Sequence, residues 1–90
     1  MSVSREVQIV NPLGLHARPA AQLVKLASTY ASEVTIARDG EAINAKSIMG
    51  VMMLAAEQGA TVRIAAVGAD AEAAVEALAG LVAAGFGEMA

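Results

Sequence analysis

A chain of 90 residues has room for one domain, expected to span residues 1–90. It carries six basic and nine acidic residues, one Phe, one Tyr and no Trp, which excludes base stacking and a polyanion as the main partner. With no cysteine and one histidine, it excludes disulfides, thiol catalysis and a histidine- or cysteine-built metal site. Residues 3–10, VSREVQIV, alternate Val7 and Ile9 against Glu6 and Gln8, the pattern of a half-buried strand. Asn11, Pro12 and Gly14 break it. A helical pattern follows from about Ala17 to Thr29. Ala20, Leu23, Val24 and Ala27 fall on one face, and Arg18, Gln22, Lys25 and Thr29 on the other. Pro19 is tolerated only in a first turn, so this helix begins at His16 or Ala17.

EVTIAR, residues 33–38, reads as a second strand with Val34 and Ile36 inward. Asp39-Gly40 is a two-residue hairpin turn, and EAINA returns antiparallel. Ser47 is placed to cap a short helix, IMGVMMLA, that Gln58-Gly59 ends. TVRIAAV, residues 61–67, alternates again with Val62, Ile64 and Ala66 inward. Asp70 is expected to cap a last helix that buries Val75, Leu78, Ala79 and Val82 and leaves Glu72 and Glu76 wet. Strands of alternating polarity in the order β-α-β-β-α-β-α predict a two-layer α+β domain, with helices on one sheet face. The N-terminus lacks a signal-peptide pattern, and no apolar run reaches the roughly 20 residues that span a bilayer. A cytoplasmic protein is the expectation.

The stretch NPLGLHARPAA, residues 11–21, is poorly suited to stability alone. Cationic His16 and Arg18 at a helix start each lose about 0.3–1 kcal/mol to the dipole. Asp, Ser or Thr would cap better. A site for phosphoryl chemistry explains both residues. The helix start at Ala17, Arg18 and Pro19 offers unpaired N–H groups and partial positive charge to a phosphate. Arg18 adds donors that suit phosphate oxygens, and the same field disfavours the imidazolium, leaving His16 a neutral nucleophile. Gly14 removes bulk from the approach, and Pro19 stiffens the helix start. No carboxylate cluster is available for Mg²⁺, so the phosphoryl donor should be another phosphoprotein and no cofactor is expected.

GLHARPAA, together with KSIMGVM downstream, resembles the HPr family of histidine-containing phosphocarriers of the bacterial phosphoenolpyruvate-dependent phosphotransferase system. The resemblance covers essentially the whole chain. It implies an open-faced sandwich: a four-stranded antiparallel sheet in the order 1-4-2-3, with three helices on one face. It implies phosphorylation of His16 on Nδ1 by enzyme I and transfer to a histidine of an enzyme IIA, with Arg18 as the active-site arginine and Pro19 as the helix-start proline. By the same resemblance Ser47, a good N-cap in its own right, is a regulatory target of a dedicated kinase/phosphorylase. Ile48, Met49 and Met52, beside His16, form an adaptable docking surface bordered by Ala20, Gln22 and Lys25. Val51 and Leu54 are expected in the core. Met53 and Ala55 depart from the Ser/Thr and Gly of many members. The expected molecule is a monomeric carrier, not an enzyme acting on a small molecule. It serves either the sugar-uptake or the nitrogen branch. Two rival readings are a domain that binds anions non-covalently through His16 and Arg18, and a regulatory module working through Ser47 with the histidine idle.

Overall fold

The structure, a computed structural model, describes residues 1–89. Its elements are β1 (Ser2–Gln8), α1 (Ala17–Ala27), β2 (Glu33–Arg38), β3 (Glu41–Asn44), α2 (Ile48–Met53), β4 (Thr61–Val67) and α3 (Ala71–Ala83), followed by a 3₁₀ turn at Gly85–Gly87. The four strands form one antiparallel sheet in the order β1-β4-β2-β3. Period-two alternation decides its faces. Val62, Ile64 and Ala66 are buried on β4, while of the residues that alternate with them Thr61, Arg63 and Val67 are exposed and Ala65 is half-buried. The register sets Ile64 opposite Ile36, and Ile36 opposite Ile43, so one face carries a continuous apolar row. Helices cover that face. Leu23 of α1, Val51 of α2 and Val75, Leu78 and Val82 of α3 join the strand residues in one core. Each fully buried Leu, Ile or Val contributes about 1.5–3 kcal/mol. The Asp39-Gly40 turn has φ of 52° and 84°, the paired left-handed geometry that a two-residue hairpin needs. No described helix is long and apolar enough to cross a membrane.

Three element ends and one cap differ from the sequence reading: β1 closes at Gln8 rather than Val10, and the others follow. The first helix stops at Ala27 because Ser28, Thr29 and Tyr30 turn back on Val24, Leu26 and Ala27 in its last turn. Val24 is only half-buried, at the margin of the buried stripe of Pro19, Ala20, Leu23 and Ala27. The short helix ends at Met53, well before Gln58-Gly59, because Ala55 adopts φ of 49° and reverses the chain. Asp70 occupies the N-cap position of α3 but makes no capping bond. Its carboxylate instead accepts from the amides of Ala31 at 2.8 Å and Ser32 at 2.9 Å, and from the Ser32 hydroxyl. It therefore ties the α1–β2 connection to the start of α3.

Candidate functional site

The segment between β1 and α1 is suspended over residues 54–60. Ile9 exchanges backbone bonds with this segment, its amide to Ala60 O at 2.9 Å and its carbonyl to Gly59 N at 2.7 Å. The Gln58 side chain donates to Val10 O at 3.0 Å. Asn11 closes the turn, accepting from Gly14 N at 3.1 Å and donating through Nδ2 to Gly14 O at 2.8 Å. Gly14 has φ of 65°, and a Cβ there would overlap the Ala56 carbonyl oxygen, so only glycine fits. Leu15 N then donates to that same oxygen at 2.9 Å.

His16 is the N-cap residue of α1, with extended backbone and a carbonyl that accepts from Ala20 N at 3.0 Å. Its side chain does not cap the helix. The ring turns instead to Glu88, whose carboxylate oxygens lie 3.1 and 3.0 Å from Nε2. An ionised carboxylate can only accept, so Nε2 carries the proton of this bond. In the neutral ring the lone pair is then on Nδ1. Glu88 also accepts from Asn11 Nδ2 at 3.0 Å. The His16 bond, aided by Asn11 and the charge of Arg18, holds the Glu88 carboxyl below the usual carboxylate range, against a smaller opposing effect of desolvation. Asn11 Oδ1 is buried and has no hydrogen-bond partner among the described residues.

Glu88 reaches the ring through an unusual turn. Gly85, Phe86 and Gly87 have φ of 67°, 56° and 75°. A left-handed Phe is costly by roughly 1–2 kcal/mol, and burial of its ring offsets that cost. The sequence reading missed Glu88 and Asn11. The one signal for Glu88 was indirect: the chain's single Phe, set between two glycines just ahead of it.

The residues expected around His16 divide into two groups. Arg18 is exposed and forms no ion pair among the described residues, and Ala17 is exposed beside it. Their amides belong to the first turn of α1, which contains no acidic residue. Pro19 is buried at the third helical position. Ala20 is fully buried with Leu23 and Ala27, which corrects the expectation that it borders a docking surface. Its small side chain is enclosed in the core and presents nothing to a partner. Ser47 caps α2, accepting from Gly50 N at 3.2 Å. Val51 and Leu54 are buried, while Ile48, Met49, Met52 and Met53 are 42%, 69%, 41% and 76% exposed. Leu13, in the histidine loop, is exposed as well. Gln22 is half-buried and Lys25 exposed on α1, against which α2 packs.

Comparison with known proteins identifies relatives of the whole chain. The family model described as the PTS HPr component phosphorylation site matches residues 3–84. The phosphocarrier protein HPr of Cupriavidus necator is 49% identical over 86 residues, covering 96% of this chain and 97% of the relative. The crystal structure of HPr-C-His from Thermoanaerobacter tengcongensis superposes with a TM-score of 0.93 at 43% identity, covering 98% of this chain and 99% of that one. An HPr dimer from the same organism superposes with a TM-score of 0.77 at 46% identity, covering 91% and 94%. Sheet order, histidine loop and near full-length similarity lead to one conclusion: the chain belongs to the HPr family, the phosphocarrier proteins of the phosphotransferase system.

Proposed function

We propose that this phosphocarrier takes its phosphoryl group on Nδ1 of His16 from phospho-enzyme I and delivers it to a histidine of an enzyme IIA. The observation that carries this reading is the Glu88 carboxylate on Nε2, which leaves the lone pair of the neutral ring on Nδ1. In the forward step the Nδ1 lone pair attacks phosphorus and a nitrogen–phosphorus bond forms. The bond from phosphorus to the donor breaks, and its electron pair leaves with the donor. The His16 ring becomes a phospho-imidazolium whose Nε2–H already faces a carboxylate, so developing positive charge meets fixed negative charge. The amides of Ala17 and Arg18 and the exposed Arg18 guanidinium receive the phosphoryl oxygens. Delivery to the next protein reverses the step and restores the same ring.

Partners dock over Ile48, Met49 and Met52, with Gln22 and Lys25 at the border and exposed Leu13 and Met53 extending the apolar area. Such a surface suits short-lived complexes with several partners. Ser47 stands at the start of that surface, and a phosphate placed there by a kinase/phosphorylase adds negative charge beside it. In this reading the carrier works in the cytoplasm.

The test is incubation with phosphoenolpyruvate, Mg²⁺ and enzyme I from the same organism, followed by intact mass measurement at alkaline pH. One added phosphoryl group, lost in mild acid and absent in His16→Ala, is the expected result. No mass change with active enzyme I would overturn the proposal.

A further inference from the structure

Arg38 closes β2 and has no part in the transfer step. Its side chain is only 25% exposed; Nε lies 3.6 Å from the Asp39 carboxylate, and the two terminal nitrogens engage the segment after α2. Nη1 donates to Ala55 O at 2.9 Å and, more loosely, to Leu54 O at 3.4 Å. Nη2 meets the Glu57 carboxylate at 2.6 Å. Arg38 therefore grips the residues on both sides of Ala56. Ala56 is buried, and its carbonyl is the acceptor for Leu15 N, one residue before His16. The other ties between the two segments, through Ile9, Val10, Gly59 and Ala60, hold the entry of the histidine loop. Among the described residues, the Leu15–Ala56 bond is the backbone tie that holds its exit to this segment.

The gripped segment needs a clamp. Where α2 ends, Arg38 supplies a charged donor to the carbonyl of Leu54, its C-cap residue, and to that of the following residue. Immediately beyond, Ala55 is held at φ of 49°, a conformation that costs an L-residue roughly 1–2 kcal/mol. Glu57 completes the grip from the other side, and its carboxyl is held below the ordinary range by its own amide and by Arg38.

We propose that Arg38 is a positioning residue for the acceptor histidine: by fixing Ala55 and Glu57 it fixes the Ala56 carbonyl from which the exit of the histidine loop hangs. This rests on the reading of His16 as the acceptor. A loop displaced by a fraction of an ångström at Leu15 carries the ring away from its attack geometry, whereas the docking surface on α2 is unchanged.

The experiment measures phosphoryl transfer from phospho-enzyme I as a function of carrier concentration, for wild type, Arg38→Ala, Arg38→Lys and the double variant Arg38→Ala with Ala55→Gly. It also records the Leu15 amide by two-dimensional NMR and the folded fraction of each variant. For Arg38→Ala the expected result is a shifted Leu15 amide and a kcat lower by about tenfold, with KM changed by less than about twofold. Arg38→Lys should recover part of the rate. Ala55→Gly should recover more in the Arg38→Ala background than it adds to wild type, because glycine holds the left-handed turn without a clamp. Wild-type kcat with an unmoved Leu15 amide would overturn the inference, as would a loss explained by unfolded protein. If wild type itself accepts no phosphoryl group, the acceptor reading fails instead, and the Leu15 amide alone decides whether Arg38 sets the loop.

Discussion

At the scale of single residues, the chemistry depends on which nitrogen of His16 holds its proton. Glu88 decides this by accepting from Nε2, with Asn11 fixing the carboxylate in turn. Glu88→Gln removes the charge that matches the phospho-imidazolium and weakens the preference for the Nε2 proton. Transfer to the ring should slow by about tenfold, and ¹⁵N NMR of His16 should show a larger share of the Nδ1-protonated form. Unchanged rate and tautomer would remove Glu88 from the mechanism. The placement of His16, Arg18 and Pro19 at a helix start was legible in the sequence because they lie within four consecutive residues and Pro19 is tolerated only in a first turn. Glu88 was not, because it is 72 positions away and meets the ring only once α3 and the Gly85–Gly87 turn are folded. No local pattern encodes such a contact.

At the scale of elements, the strands were legible nearly to the residue, since their apolar positions alternate and glycine, proline or asparagine separates them. The C-terminal end of α2 and the cap of α3 were less so, for two different reasons. Ala55 reverses the chain without being a glycine, so neither composition nor periodicity marks the turn. Ala55→Gly should raise stability by about 1 kcal/mol, read as a higher denaturant midpoint with unchanged slope. Asp70 carries a good capping side chain, but amides of the α1–β2 connection compete for it and win. The Ser32 hydroxyl, followed by the Ala31 amide, holds the Asp70 carboxyl below its ordinary value. The unfolded chain therefore binds this proton at higher pH than the folded one. The resulting stability is present above the unfolded value, about pH 4, and disappears as pH falls through the lower folded value. Asp70→Asn should thus lower Tm most near neutral pH, and its deficit should shrink below about pH 4. A deficit that stays constant down to about pH 3 would contradict this account.

At the scale of the whole molecule, one sheet face packs the helices, and α2, packed against α1, leaves its methionines at the surface. The two-layer arrangement was legible from element order and strand polarity, while the strand order rested on resemblance and is the order found. The division of α2 into a buried side, Val51 and Leu54, and an open side was also foreseen, because so short a helix cannot be enclosed all round. Ala20 was misplaced because a small residue next to a site reads equally well as surface or as interface. Met49→Ser combined with Met52→Ser should raise KM for enzyme I by about tenfold with little change in kcat, and should leave folding stability within about 0.5 kcal/mol. Proportional loss of kcat would instead make these methionines part of the transfer geometry. The account as a whole rests on Glu88 directing the phosphoryl group to one ring nitrogen. The most direct test is ³¹P and ¹⁵N NMR of the phosphorylated carrier at alkaline pH, with ¹⁵N-labelled histidine. The account predicts phosphorus bonded to Nδ1 of His16, with Nε2 still facing Glu88. Phosphorus on Nε2 would contradict it.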